Sequence, residues 1–139
     1  MRITTRGRYA LRASLALAKL HDAGTPVSIN QLSEEAQISS VFLEQIFFNL
    51  RKAGIVSSVR GPGGGFRFAL PPDNIPLKQI LQAAGEELDV TDCDKNAKAC
   101  NITVQKCSAH SVWQDITDLL DSYLSKTTLA DVMKRESPA

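Results

Sequence analysis

No stretch of the 139 residues approaches the roughly 20 consecutive apolar residues that a helix needs to cross a bilayer, so a soluble globule is expected. The opening residues MRITTRGRYALRASLALAKL set Arg2, Arg6, Arg8 and Arg12 among their apolar positions and build no signal-peptide core, which points to a cytoplasmic protein. Cysteine is scarce. Cys93, Cys100 and Cys107 are the only three, an odd number that suits a disulfide framework poorly, and in a reducing compartment they read better as ligands or redox groups. The chain also lacks internal repeats, low-complexity tracts and any set of nucleophile, base and orienting group, so an enzyme is not expected. Only two histidines occur, His21 and His110.

The formal net charge of +1 conceals an asymmetry. Residues 1–70 hold nine Lys and Arg against four Asp and Glu, whereas residues 71–139 hold seven against eleven. A basic half suits a polyanion and an acidic half suits solvent or a partner, which implies a nucleic-acid module joined to a second functional unit.

Within the basic half, Tyr9, Ala13, Leu17 and Leu20, widened by Leu11 and Leu15, predict an amphipathic helix from Gly7 to about Asp22, with His21 as a C-terminal cap. Ser28 and Gln31 form a capping-box pattern for a short helix ending near Gln37. Ser39 or Ser40 then caps a third helix, with Phe42, Leu43, Ile46, Phe47 and Leu50 on its apolar side and Gly54 as its stop. Phe42, Phe47 and Phe48 are expected in the core and turn packing, and Glu44, Gln45, Asn49 and Arg51 on the polar face. IVSSV (55–59) and FRFAL (66–70) flank RGPGGG and predict a hairpin. The expected architecture is therefore mainly α with a small β-hairpin wing: a winged helix-turn-helix DNA-binding domain over residues 1–72. The GPGGG turn lacks the strand-to-helix context of a nucleotide-binding loop, and its glycines let backbone approach a sugar-phosphate surface.

Pro71-Pro72-Asp73-Asn74 reads as a linker to a second unit, residues 73–139. There Pro76 opens a short helix through Leu77, Ile80 and Leu81 toward Gly85. A longer helix over about 110–124 presents Val112, Trp113, Ile116, Leu119, Leu120 and Tyr123, an apolar stripe that predicts pairing with the same helix of a second subunit. Thr128 and Asp131 cap a short final helix.

Between these helices, CDKNAKACNITVQKCSAH (93–110) gathers all the cysteines and His110 in the pattern C-x6-C-x6-C-x2-H. Zinc sites favour closer knuckles, and only Cys107 and His110 have such spacing. An iron-sulfur cluster held by three thiolates and one imidazole needs only a loop able to wrap it, and Lys95, Lys98 and Lys106 would offset its negative charge. A histidine ligand titrates near neutral pH and exchanges more readily than a thiolate, which suits a sensor. Spacing alone leaves zinc, a cluster and a redox carrier all open.

MRITTRGRYALRASLALA, the block SSVFLEQIFFNLRKAGIVSSVRGPGGGF, the three-cysteine loop ending in C-x-x-H, the VWQDITDLL helix and the TLADVM tail together resemble the Rrf2 family, and within it the branch that senses iron-sulfur clusters. The resemblance covers nearly the whole chain. It implies a homodimeric transcription regulator that binds double-stranded operator DNA, controls iron-sulfur cluster assembly genes, and holds one [2Fe-2S] cluster per subunit on Cys93, Cys100, Cys107 and His110. It implies a cluster donor from the iron-sulfur assembly machinery as a partner. By the same resemblance Arg60 enters a minor groove, Glu44 and Gln45 meet bases, and Glu44 disfavours one operator class unless the cluster is bound. Ser40, Phe42, Gly61, Gly63 and Gly64 complete the candidate DNA contacts. Both cysteine gaps are six residues where that branch has five, and Val41 stands where a serine is expected. The alternative is a zinc-stabilised or nitric-oxide- or redox-responsive repressor of the same family, although Arg8 lies where the nitric-oxide branch has a carboxylate.

Overall fold

The computed structural model describes residues 2–21, 25–93 and 107–135. Its elements run α1 (Thr5–Leu20), α2 (Ile29–Ala36), α3 (Ser40–Lys52), β1 (Val56–Val59), β2 (Gly65–Phe68), a 3-10 turn (Pro72–Asn74), α4 (Leu77–Ala83), α5 (His110–Lys126) and α6 (Leu129–Met133). The architecture is the mainly helical one with a hairpin wing that the sequence predicts.

Local chemistry explains most of the boundaries. The Ser28 hydroxyl accepts from Gln31 N at 3.2 Å while Gln31 Oε1 accepts from Ser28 N at 3.0 Å, so the capping box starts α2 as expected. Ser39 caps α3, its hydroxyl accepting from Phe42 N at 3.3 Å. At the other end of α3, Gly54 N donates to Arg51 O and Ile55 N to Leu50 O, both at 3.0 Å, the paired bonds of a Schellman stop. Arg12 of α1 donates to the carbonyls of Ala36 and Gln37 and so closes the end of α2, its guanidinium lying 5.0 Å from the Tyr9 ring.

The wing is an antiparallel pair in the register Val56↔Phe68 to Val59↔Gly65. Val27, just before α2, bridges to the free edge of β2 through two 2.8 Å bonds with Phe66. Phe66 stacks on Phe47 at 4.8 Å, which joins the wing to the core face of α3. His21 stands at the C-cap of α1 as expected and meets Phe68 edge-on at 5.5 Å.

One hydrophobic core runs through both halves. Leu17, Leu32, Leu43 and Phe47 share it with Ile75, Ile80 and Leu129, all wholly buried. The expected linker is accordingly different in the structure: residues 72–74 form a 3-10 turn, Asn74 N donating to Pro71 O at 2.8 Å, and the chain passes directly into Ile75. Prolines mark a bend whether or not it is packed, and burial of Ile75 makes this one packed. Leu77 N donates to Thr127 O at 2.9 Å and Leu129 N to Ile75 O at 2.8 Å, pinning the start of α4 to the end of α5. The Thr128–Asp131 capping box starts α6 as expected.

Two further expectations change. Phe48 is 46% exposed rather than part of the core, because at 100° per residue it rotates away as Phe47 turns inward. The long helix continues two residues past Leu124 to Lys126. Among the described residues no helix is long and apolar enough to cross a membrane.

Candidate nucleic-acid interface and ligand loop

Packing of Leu43, Ile46, Phe47 and Leu50 into the core leaves Val41, Glu44, Gln45 and Phe48 exposed on α3, followed by Arg51 and Lys52. Residues 41, 44, 45 and 48 share one helical face by spacing. Of the candidate contacts on this helix, Glu44 and Gln45 lie on that face. Ser40 and Phe42 are half-buried instead, and Phe42 turns toward α1, edge-on to Tyr9 at 5.3 Å.

Arg60, Gly61 and Gly63 are exposed at the wing tip and Gly64 is half-buried. The glycines divide by cause. Gly61 and Gly63 have φ of 91° and 76° with open space around a notional Cβ, so backbone conformation alone requires them. A Cβ on Gly64 would overlap the Val59 carbonyl, and one on Gly65 the Val27 carbonyl, so these two serve the wing's internal packing.

Arg51 fixes helix to wing. Its guanidinium donates to Ser58 Oγ on β1 at 3.2 Å and lies 5.8 Å from the Phe48 ring, with Lys52 Nζ at 5.4 Å from the same ring. Residues 40–68 thus present Arg51, Lys52, Arg60 and Arg67, all exposed, against a single carboxylate, Glu44. A basic helix and wing joined in this way suit the charge of duplex DNA, where cations on phosphate supply most of the sequence-independent affinity.

The ligand loop is described only at its ends. Cys93 and Cys107 are free, half-buried thiols, and His110 is half-buried at the first residue of α5, its N donating to Cys107 O at 3.2 Å. Cys100 lies outside the described residues, and among the described residues no group of three or more His, Cys, Asp or Glu is gathered as a metal centre. The turn between Cys107 and His110 brings a sulfur and an imidazole donor into one short segment. With Cys93 and Cys100 it offers a donor set of three sulfurs and one nitrogen, which fits iron-sulfur ligation and equally fits zinc.

Sequence reasoning missed Glu86. It is 8% exposed, and its carboxylate accepts from Thr4 N and Gly7 N, each at 3.0 Å, and from the Thr4 hydroxyl. Those are otherwise unpaired donors at the start of α1, which explains why that helix begins at Thr5 and not at Gly7. A Schellman turn at the end of α4 delivers the side chain: Gly85 has φ of 91°, Gly85 N donates to Gln82 O and Glu86 N to Leu81 O, both at 3.0 Å. A Cβ on Gly7 would lie 2.6 Å from Glu86 Oε1, so any larger residue there displaces this carboxylate. The sequence places Gly7 at the helix start, and no local pattern links it to a residue 79 positions away. Burial pushes the Glu86 carboxyl up, but the bonds from Thr4 and Gly7 and the charge of Arg6 outweigh it and hold it below its ordinary value.

A helix-turn-helix with its second helix exposed beside a basic hairpin defines a winged-helix DNA-binding regulator. The chain belongs to the Rrf2 family: residues 3–135 match that family, described as iron-dependent transcriptional regulators. The HTH-type transcriptional regulator IscR of Vibrio atlanticus (strain LGP32) is 40% identical over 134 residues, spanning 96% of this chain and 76% of that protein. IscR of Aliivibrio salmonicida (strain LFI1238) is 41% identical over 133 residues, 96% of this chain and 77% of the relative. Among solved structures, CymR, the global cysteine regulator of B. subtilis, superposes with a TM-score of 0.81 at 28% identity over 99% of each chain. T. potens IscR superposes at 0.72 with 31% identity, over 97% of this chain and 88% of the other. The family and these relatives are DNA-binding transcription regulators and not enzymes, and so is this chain.

Proposed function

We propose that this regulator is a homodimer whose operator preference is set by a [2Fe-2S] cluster, one per subunit, on Cys93, Cys100, Cys107 and His110, and that it controls iron-sulfur cluster assembly genes in the cytoplasm. The observation that carries the reading is the donor set: every cysteine of the chain and His110 fall in one segment joining α4 to α5. The identity to proteins named IscR supports it. When bound, the cluster supplies a redox-sensitive, exchangeable anion whose presence reports cluster supply from the assembly machinery.

The chain's own residues supply the rest. Residues 1–72 read DNA through Glu44, Gln45, Arg60 and the wing glycines, with Ser40 and Phe42 buttressing the start of α3. Residues 73–139 hold the ligand loop and the dimer helix. Val112, Trp113, Ile116, Leu119 and Tyr123 are all exposed on α5, a face that a second α5 would cover. The residues that flank the segment are tied to packed elements. Val90 N donates to Thr117 Oγ1 at 3.1 Å, Lys78 pairs with Asp121 at 2.5 Å, and Glu86 anchors the loop's approach to α1, which packs on α3. These contacts run from α4 and α5 through Glu86 to α1, which packs on α3, the helix that carries Glu44.

The experiment is anaerobic purification with iron, sulfide and zinc analysis beside the visible spectrum, repeated for His110→Ala. Iron and sulfide in a 1:1 ratio and an altered spectrum in the variant are expected. Zinc without sulfide overturns the cluster reading, and an unchanged spectrum in His110→Ala removes that residue from the site. A second reading, a thiol-responsive regulator, is favoured by the closeness of the fold to CymR. In that case Cys93 and Cys107 respond as free thiols, with no iron bound.

A further inference from the structure

Val41 is 77% exposed, the most exposed large apolar side chain among the described residues, and it belongs to no part of the core. It sits in the first turn of α3, one turn before Glu44 and Gln45 and on the same face. Apart from Phe48, two turns further on and flanked by the Arg51 and Lys52 cations, its neighbours on that face and the adjoining wing are charged or polar: Glu44, Gln45 and Arg60. An isopropyl group left in water at the leading end of a basic helix gains only if its occupant offers a small apolar group within an otherwise polar, negatively charged surface.

The major groove of DNA has one such group, the C5 methyl of thymine. We propose that Val41 is a specificity-determining residue that packs on a thymine methyl in each operator half-site. Valine suits the task. Its branched side chain is held in one dominant rotamer in a helix, so little freedom is lost on contact. It has no donor or acceptor, so opposite guanine, adenine or cytosine it would cover base-edge groups without bonding them. Glu44 and Gln45, one turn further on, are the groups able to accept from cytosine and to pair with adenine, so Val41 adds a third letter that neither can read. The assignment rests on the proposed reading of operator bases by Glu44 and Gln45, which puts α3 in the major groove.

The test begins with selection of duplexes from a random library by the purified dimer, followed by single replacement of each selected thymine by deoxyuridine, which removes only the methyl. Affinities are compared at one fixed salt concentration for the unaltered protein and Val41→Ser, a change at an exposed position that should leave the circular dichroism spectrum and thermal midpoint unchanged. The expected result is one thymine per half-site whose demethylation weakens binding about fourfold, the effect of burying one methyl group. Val41→Ser should bind thymine and deoxyuridine there equally. An undiminished loss in Val41→Ser, or no responsive thymine in a clearly enriched operator, overturns the role of Val41 while leaving operator reading intact. A library from which no sequence is enriched overturns both.

Discussion

At the scale of single residues, Glu86 shows how one side chain can set a helix start from 79 positions away. Its carboxyl lies below its ordinary value in the folded chain, so it contributes stability above the ordinary carboxylate range and loses it as pH falls through the lowered folded-state value. Glu86→Gln keeps an acceptor but not the charge, and should cost about 1–2 kcal/mol at pH 7. The gap to the unaltered protein should close in acid, as measured by urea unfolding from pH 7 to pH 3. Gly7→Ala tests the same contact from the other side. Alanine is favoured over glycine in a helix by about 1 kcal/mol, yet its Cβ would displace the carboxylate, so this variant should be destabilised and lose the same pH dependence.

At the scale of elements, α5 behaves as two segments. Its C-terminal end is packed, with Leu124 buried and Thr127 O bonded to Leu77 N, while the face from Val112 to Tyr123 stays uncovered. Leu119, at 71% exposure, is the sharpest probe of that face. In a symmetric dimer Leu119→Asp removes the side chain twice, so the dimer dissociation constant should rise about a hundredfold or more while helix content holds, as read by sedimentation equilibrium and circular dichroism. An unchanged association constant would move the dimer seam away from this face. The wing behaves differently. Phe66 on Phe47, Val27 on β2 and Arg51 on Ser58 fasten it on three sides, so it is a rigid extension of α3 and not a free arm.

At the scale of the whole molecule, the two halves of the chain share one unit, because the core that holds α3 also holds α4, the end of α5 and α6. Glu44 is the one carboxylate on the exposed basic surface of residues 40–68, and a carboxylate facing phosphate or the wrong base edge costs on the order of 1–3 kcal/mol. Glu44→Ala should therefore let the cluster-free protein bind both operator classes with similar affinity. Retained discrimination between the two, measured by anisotropy on cluster-free protein, would exclude Glu44 as the gate.

Much of this was readable in one dimension. Helical periodicity, the Ser28–Gln31 and Thr128–Asp131 boxes, the Gly54 stop and the alternation around RGPGGG are local signals, because caps and turns are made by residues within a few positions of one another. The proposed ligand set is a local pattern too, since three cysteines and His110 share one segment of the sequence. Tertiary structure alone decided which apolar residues stay outside, turning Phe48 and Val41 to the surface, burying Ile75 behind a proline turn and drawing Glu86 onto α1. Those outcomes depend on partners tens of residues distant, and sequence periodicity records which face of an element is apolar but not what that face will meet.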